Sequence, residues 1–250
     1  MSLLTQLLTF AFAVAALIAL SRWIGRQVQI LVLRFTSNEQ VAQMTYYLLL
    51  LPGIVLHEFS HALMARLVGL KVGRVSLGPR RSGPTSLQLG SVTIGKADAF
   101  RESLVGLAPF LAGTAVLVAV GYQVFNVGAL GAAWAASGWD GVLRALRGVR
   151  ETPDLWLWAY VVFVVSNAMT PSASDRRPWL IAGAYLAVVL VLAYLLVGVP
   201  AVPLAWSDQA AGALQALTLA FLFTLVLDLA VAGALWVADL LVVSLQRREA

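Results

Sequence analysis

Apolar residues along this chain form long stretches separated by short polar segments. A helix that crosses a membrane needs about 18 to 20 largely uncharged residues, and five stretches are long enough: residues 3–20, 46–68, 104–125, 179–197 and 214–241. A sixth span is predicted over residues 155–169, which is shorter but begins in a cluster of aromatic side chains typical of a membrane interface. The pattern predicts an all-α polytopic membrane protein with about six transmembrane helices.

Composition agrees with a membrane protein and excludes other classes. Hydrophobic residues make up 60% of the chain and charged residues 12%, whereas about 25% of a soluble domain is charged. The net charge of +5 is spread over short segments without interleaved aromatic residues, so we expect the lipid bilayer as a partner and no nucleic acid. Residues 3–20 lack a basic leader and a small-residue cleavage site, so we interpret them as the first span and not as a removed signal peptide.

Three arginines follow the first span within an otherwise apolar segment. Arg22, Arg26 and Arg34 lie in residues 22–35, and this pattern favours a basic helix on the membrane surface. The alternative is a simple extension of the first span. We therefore expect residues 1–42 to contain the first transmembrane helix followed by a basic interfacial helix.

The distribution of lysine and arginine outside the spans predicts the orientation. With the N-terminus inside, the inner segments carry ten basic residues and the outer segments carry six. The inner set is Lys71, Arg74, Arg80, Arg81, Lys96, Arg101, Arg176, Arg177, Arg247 and Arg248, and the outer set is Arg22, Arg26, Arg34, Arg144, Arg147 and Arg150. Because cytoplasmic loops are the more basic ones, both termini are predicted to be cytoplasmic. Residues 127–154 then form an external loop, in which residues 139–149 have the pattern of a short amphipathic helix.

The segment after the second span has the alternation of a β-hairpin. Apolar and polar residues alternate in residues 72–76 and 86–94, and residues 78–84 are rich in glycine and proline, as in a turn. We expect a small cytoplasmic hairpin, whose open strand edge can take an extended substrate by strand addition. The alternative is a basic cytoplasmic loop.

The second span contains both histidines of the chain, four residues apart. His57 and His61 occupy positions i and i+4, so they share one face of a helix and can hold one Zn²⁺, while Glu58 reaches a metal-bound water. Ionisable groups at membrane depth are costly and are kept mainly where they have partners or a function. Since the chain has no cysteine, further ligands must be carboxylates. The motif predicts a zinc hydrolase within the bilayer.

A catalytic zinc site normally has three protein ligands and an open position. The candidate carboxylates for the third ligand are Asp175, Asp228 and Asp239 at membrane depth, with Asp98, Glu102 and Glu151 in loops. Asp175 stands out because Pro171 ends the preceding helix, and polar, non-helical backbone at membrane depth is tolerated only within protein or beside a wet cavity. The alternative role for Asp175 is a helix cap or an ion-pair partner of Arg176.

These features resemble the site-2 protease family of intramembrane zinc metalloproteases. The similar parts are a spanning His-Glu-x-x-His helix, a following hairpin, and a later span that ends in proline-broken sequence with an aspartate. Asn167 and Asp175 keep the family spacing of eight residues, and the segment Gly106-Leu107-Ala108-Pro109 is similar to the small-residue and proline motif of the middle core helix. Two positions differ: Pro171 follows the asparagine by four residues instead of three, and Arg176 replaces a glycine.

The resemblance implies a function and a set of site residues. Asp175 would be the third zinc ligand, and Asn167 would hold the substrate backbone or an oxyanion. The implied enzyme is a zinc metalloendopeptidase that hydrolyses peptide bonds in or near transmembrane segments, with Glu58 as the base. The metalloprotease core is assigned to residues 43–179 and two further helices to residues 180–250. The expected location is a prokaryotic cell membrane, and the expected partner is a transmembrane protein or peptide substrate.

Two other functions are consistent with the motif. A different membrane zincin would take its third ligand from a distant glutamate, for which Glu151 is the candidate, although it lies in the predicted external loop. A non-proteolytic metal-binding scaffold or a transporter would keep the ligands without hydrolysis. Paired broken helices in two matching halves, typical of transporters, are absent from the pattern.

Overall fold

The structure is a computed structural model that describes residues 3–78, 80–81, 87–88, 90–197 and 204–249. Helices dominate these ranges, and their bounds are α1 (Leu3–Thr36), α2 (Glu39–Leu67), α3 (Ala99–Gln123), α4 (Val127–Arg150), α5 (Leu155–Ala168), α6 (Ala173–Arg176), α7 (Trp179–Val197) and α8 (Leu204–Glu249). Short strands β1 (Val72–Ser76), β2 (Arg80–Arg81), β3 (Leu87–Gln88) and β4 (Ser91–Ile94) lie between α2 and α3. The mostly helical fold with a small sheet after the second helix is as predicted.

Several of these helices are long and apolar enough to cross a membrane. Among the described residues, α1, α2, α3 and residues 207–247 of α8 qualify individually, which gives four spans, or five if α5 and residues 173–189, which are bent by 57° at the break between them, form one span. Helix α5 has 14 residues, which at 1.5 Å per residue is about 21 Å, short of the roughly 30 Å hydrocarbon core. These helices are compatible with a multi-pass membrane protein, whereas the predicted number of about six spans is not confirmed.

The prediction of a separate surface helix over residues 22–35 is wrong. Helix α1 continues without a break for 34 residues, and its buried stripe runs on through Ser21, Ile24, Gly25 and Val28 at helical spacing. A β-carbon at Gly25 would meet the hydroxyl of Tyr46. The packed face extends beyond the first arginines, and it therefore keeps this segment in line with the span.

Contacts divide the chain into two compact units, each assembled from separated parts of the sequence. The first comprises Met1–Gly53, Thr114–Ala168 and Leu214–Ala250, and the second comprises Ile54–Gly113 and Met169–Ala213. In the first unit, Arg34 pairs with Asp239 at 3.0 Å. The second unit has a small core of Ala65, Leu70 and Val105. The units thus cut across the three sequence segments predicted above.

Helix α4 replaces much of the predicted external loop. It is kinked where Ser137 and Gly138 depart from helical backbone angles, and the amphipathic helix predicted over residues 139–149 is present as its second half. The side chains of Trp139 and Leu143 are exposed there, while Gly141 is buried.

The predicted hairpin is present between α2 and α3. Strand β1 pairs with β4 in antiparallel register, with Val72 opposite Ile94 and Ser76 opposite Ser91, and β2 pairs with β3. Pro79 and residues 82–86 of the predicted turn lie outside the described residues. The antiparallel pairing therefore supports the predicted hairpin.

Local signals at the helix ends connect the hairpin to its neighbours. Gly69, with φ of 78°, ends α2 in a Schellman motif: its N–H donates to the Arg66 carbonyl and the Leu70 N–H donates to the Ala65 carbonyl. Asp98 caps α3 by accepting from the N–H groups of Phe100 and Arg101. The backbone hydrogen bond from Arg101 lowers the pKa of Asp98 below its usual value.

Candidate metal centre

The two histidines of α2 bring their ring nitrogens together. His57 Nε2 and His61 Nε2 are 3.1 Å apart, as expected for side chains one helical turn apart on a common face. His61 is buried, and the His57 side chain is only 14% exposed. The pair is therefore shielded from solvent.

The carboxylate of Asp175 lies against this histidine pair. Asp175 Oδ1 is 3.5 Å from His61 Nε2, and Asp175 Oδ2 is 3.9 Å from His57 Nε2. Asp175 is also the third residue of the short helix α6, where it forms a capping box with Ser172. Asp175 can therefore cap helix α6 and face the two histidines at the same time, so the capping role does not exclude the proposed ligand role.

The donor set fits a tetrahedral metal ion. In a tetrahedral zinc site with bonds of about 2.0 to 2.1 Å, the ligand atoms are about 3.3 Å from one another. The separation of 3.1 Å between the two histidine nitrogens and that of 3.5 Å from His61 Nε2 to Asp175 Oδ1 are close to this value, and the 3.9 Å from His57 Nε2 is measured to the other carboxylate oxygen, Oδ2. Within the described ranges, His57, His61 and Asp175 form a group in which one potential ligand atom from each residue lies within 4.8 Å of the others. Two imidazoles and one carboxylate leave a fourth position open, as catalytic sites require.

A backbone carbonyl on α3 orients the ring of His61. His61 Nδ1 is 2.8 Å from the carbonyl oxygen of Val105, in a buried contact. A carbonyl oxygen can only accept, so Nδ1 must carry the proton, and the lone pair of the neutral ring is then on Nε2. Metal-bound histidines almost always have such a partner at the second nitrogen. The Val105 carbonyl thus directs the metal-binding nitrogen toward His57 and Asp175.

The next residue of α3 allows the Asp175 backbone to come close. A β-carbon at Gly106 would overlap the carbonyl oxygen of Asp175. Any side chain at this position would push the α6 segment away from α3, and with it the carboxylate. Val105 and Gly106 therefore position two of the three candidate ligands from adjacent residues of one helix.

Glu58 is buried in the same unit, beneath the start of strand β4. Its exposed fraction is 6%, and a β-carbon at Gly90 would come within 2.5 Å of Glu58 Oε1. The Glu58 carboxylate is also near enough to Asp175 for the two charges to repel each other. The backbone at Gly90 therefore covers the carboxylate that the motif predicts as the base.

Asn167 belongs to the first unit, where it joins a buried polar cluster on α5 and α8. Its Nδ2 donates to the Phe163 carbonyl at 2.8 Å and contacts Ser166 Oγ and Asp228 Oδ1 at 3.2 and 3.4 Å. Ser166 Oγ in turn lies 2.9 Å from Asp228 Oδ2. Within the described part of the chain, Asn167 Oδ1 is buried without a hydrogen-bond partner. Asp228 is thus a hydrogen-bonded carboxylate within this buried cluster.

The other candidate ligands have different surroundings. Asp239 pairs with Arg34, Asp98 caps α3 and pairs with Arg101, and Glu151 ends α4. None of them belongs to the metal-binding group found among the described residues. Sequence reasoning did not identify the contributions of Val105 and Gly90, which are backbone contacts.

Comparisons with models of protein families, with curated proteins and with solved structures find no match. The chemistry of the site is therefore the basis for assigning a function.

Proposed function

We propose that this protein is an intramembrane zinc metalloendopeptidase that hydrolyses peptide bonds in or near transmembrane segments of its substrates. The observation that carries the proposal is the convergence of His57 Nε2, His61 Nε2 and the Asp175 carboxylate, with Glu58 next to the first ligand on the same helix. Buried charged groups in apolar helices are expensive, and this supports a function for the cluster.

The three ligands would hold the ion in the second unit. When bound, zinc supplies Lewis-acid chemistry, which polarises a peptide carbonyl and favours ionisation of water near neutral pH. The same donor set holds iron in some oxygenases, but a glutamate adjacent to the first histidine favours hydrolysis, because hydrolysis needs a group that accepts and returns a proton.

Glu58 has the position and environment of that group. Its carboxylate takes the proton of the attacking water and returns it to the nitrogen of the leaving amine. Burial under Gly90 excludes bulk water from this carboxylate and limits the directions in which it can turn. Both effects favour proton transfer within the site.

The contacts of Asn167 support one of its two expected roles over the other. Its amide N–H groups are engaged by Phe163, Ser166 and Asp228, so they are poorly available to an oxyanion. Among the described residues, its Oδ1 has no hydrogen-bond partner, and an acceptor suits a backbone N–H of an extended substrate. Asn167 is thus proposed to hold the substrate backbone.

The test combines metal analysis with a cleavage assay on the same purified preparation. We expect about one equivalent of zinc per chain and cleavage of at least one substrate from a panel of transmembrane peptides, with both removed by chelation and restored by zinc. Bound zinc without cleavage of any substrate would favour the metal-binding scaffold, and iron in place of zinc would reject the hydrolase.

A further inference from the structure

A proline within α3 leaves one carbonyl of that helix without its usual donor. In an α-helix the carbonyl of residue i accepts from the N–H of residue i+4, and the residue four positions after Val105 is Pro109, which lies inside α3. Proline has no N–H. Val105 is only 4% exposed, so water does not readily replace the missing donor.

His61 supplies a donor to this carbonyl. The distance of 2.8 Å from His61 Nδ1 to the Val105 oxygen is that of a good hydrogen bond. The carbonyl that receives the histidine is the one whose usual helical donor is replaced by Pro109. A buried acceptor that lacks its usual helical donor favours the Nδ1–H tautomer of the histidine, which has its lone pair on Nε2.

We propose that Pro109 is a positioning residue of the metal centre, which acts by freeing the Val105 carbonyl to hold His61 in the tautomer that binds metal through Nε2. The inference rests on the proposed metal centre and adds a residue that contacts neither the metal nor the substrate. Pro109 is itself fully buried, so its effect is exerted through the helix backbone and not through solvent.

Replacement of Pro109 should weaken this control. The variants Pro109→Ala and Pro109→Val both restore an N–H at the position that normally bonds the Val105 carbonyl. That N–H competes with His61 for the Val105 carbonyl. The imidazole can then adopt the Nε2–H tautomer, in which the nitrogen facing Asp175 carries a proton and cannot bind a metal. Valine also keeps much of the volume of the proline side chain, so the second variant limits the cavity left by the first.

The test reads the tautomer directly. The chain has only two histidines, so selective ¹⁵N-histidine labelling gives a spectrum of two rings, which a His57→Ala variant assigns. In metal-free protein at about pH 8, above the usual titration range of histidine, we expect His61 to be in the Nδ1–H form. Both Pro109 variants should show an increased Nε2–H population and a zinc affinity that is about 10-fold to 100-fold lower, the range for loss of a partner to a ligating histidine.

Pro52→Ala is the matched control. Pro52 is also a proline inside a helix, but the carbonyl four residues before it belongs to Leu48, so the His61 tautomer should not change. Folded protein is recognised by monodisperse elution and wild-type helical circular dichroism. A wild-type tautomer and zinc affinity in either folded Pro109 variant would overturn the proposal. Loss of fold in both variants would also overturn the proposal, because Pro109 would then be required for the fold of α3 and not specifically for the position of His61.

The tautomer is measured without metal and without substrate, so the result is independent of hydrolysis. If the protein cleaves nothing but the Pro109 variants change the tautomer, the proposed function fails and the positioning role stands. If the wild type cleaves its substrate and the variants keep both tautomer and affinity, only the positioning role fails.

Discussion

Asp175 Oδ2 accepts a hydrogen bond from the backbone N–H of Ser172 over 2.7 Å, and the same carboxylate faces both histidines. The capping box holds the carboxylate in a fixed orientation, because Ser172 Oγ also accepts from the Asp175 N–H. The cap therefore supports the proposed ligand role of Asp175, because it removes freedom that a flexible aspartate would otherwise lose on binding a metal.

Separate variants distinguish the two roles of this carboxylate. Asp175→Ala removes a ligand, and the zinc affinity should fall by more than about 100-fold, the upper range for partners that only support a ligand. Ser172→Ala removes one half of the capping box and should cost about 0.5 to 2 kcal/mol of stability while zinc remains bound. Metal content after gel filtration and thermal unfolding measure the two effects. Zinc retained in full by Asp175→Ala would exclude this residue as a ligand.

Glu58→Gln should abolish hydrolysis and leave the metal in place. Glutamine keeps the shape of the side chain beneath Gly90 but has no basic oxygen, and general acid–base catalysis typically contributes about 10² to 10⁴ in rate. Cleavage and zinc content are measured on one preparation, with His57→Gln as the variant that should lose both. A Glu58→Gln protein that cleaves at the wild-type rate would contradict a proton-transfer role.

The main elements of this fold could be predicted because their signals are local. Apolar length predicts α1, α2, α3 and α8, alternation predicts the hairpin, and the spacing of His57 and His61 predicts a shared helix face. The continuation of α1 through Arg22 and Arg26 could not be predicted in this way, because it depends on tertiary packing against its buried stripe. Local charge favoured a surface helix, and packing prevailed.

The site was only partly accessible from sequence for a related reason. Asp175 could be selected from the sequence for two reasons. Pro171 ends the helix that precedes it, and its carboxylate is a side chain that can bind a metal. The Val105 carbonyl and the Gly90 backbone have no side-chain signature, so their roles depend on which segments the fold brings together. One signal was nevertheless available: Pro109, four residues after Val105, marks a helix carbonyl without its usual donor.

Cysteine labelling tests the predicted orientation, for which the chain offers a clean background since it has no cysteine. Ser82→Cys lies in the turn that the sequence predicts at residues 78–84, and Ser137→Cys lies at the kink of α4. From outside intact cells, an impermeant thiol reagent should label position 137 and not position 82, because the excess of basic residues predicts a cytoplasmic hairpin. Both positions should react after the cells are lysed. Labelling of position 82 in intact cells would reverse the orientation.

Gly90→Ala tests whether the backbone at the start of β4 sets the position of the base. The added β-carbon would come within 2.5 Å of Glu58 Oε1 and 2.7 Å of its Cδ, so either the carboxylate or the strand must move. A displacement of about 1 Å at a reacting group can cost about 100-fold in rate, and we expect a loss of that order in kcat. The metal should stay bound, because the three atoms nearest to the new methyl group all belong to Glu58, which is not one of the proposed ligands.

Gly95→Ala is the control for this variant, since it places the same methyl group at the other end of β4. There the nearest atom, the Lys71 carbonyl oxygen, would be 3.7 Å away, which is an ordinary contact. Wild-type turnover is therefore expected for Gly95→Ala. Equal losses in the two variants would show that the hairpin tolerates no added bulk, whereas a loss confined to Gly90→Ala identifies the contact with Glu58 as the cause. Full activity in Gly90→Ala would mean that Glu58 acts from a position the strand does not control.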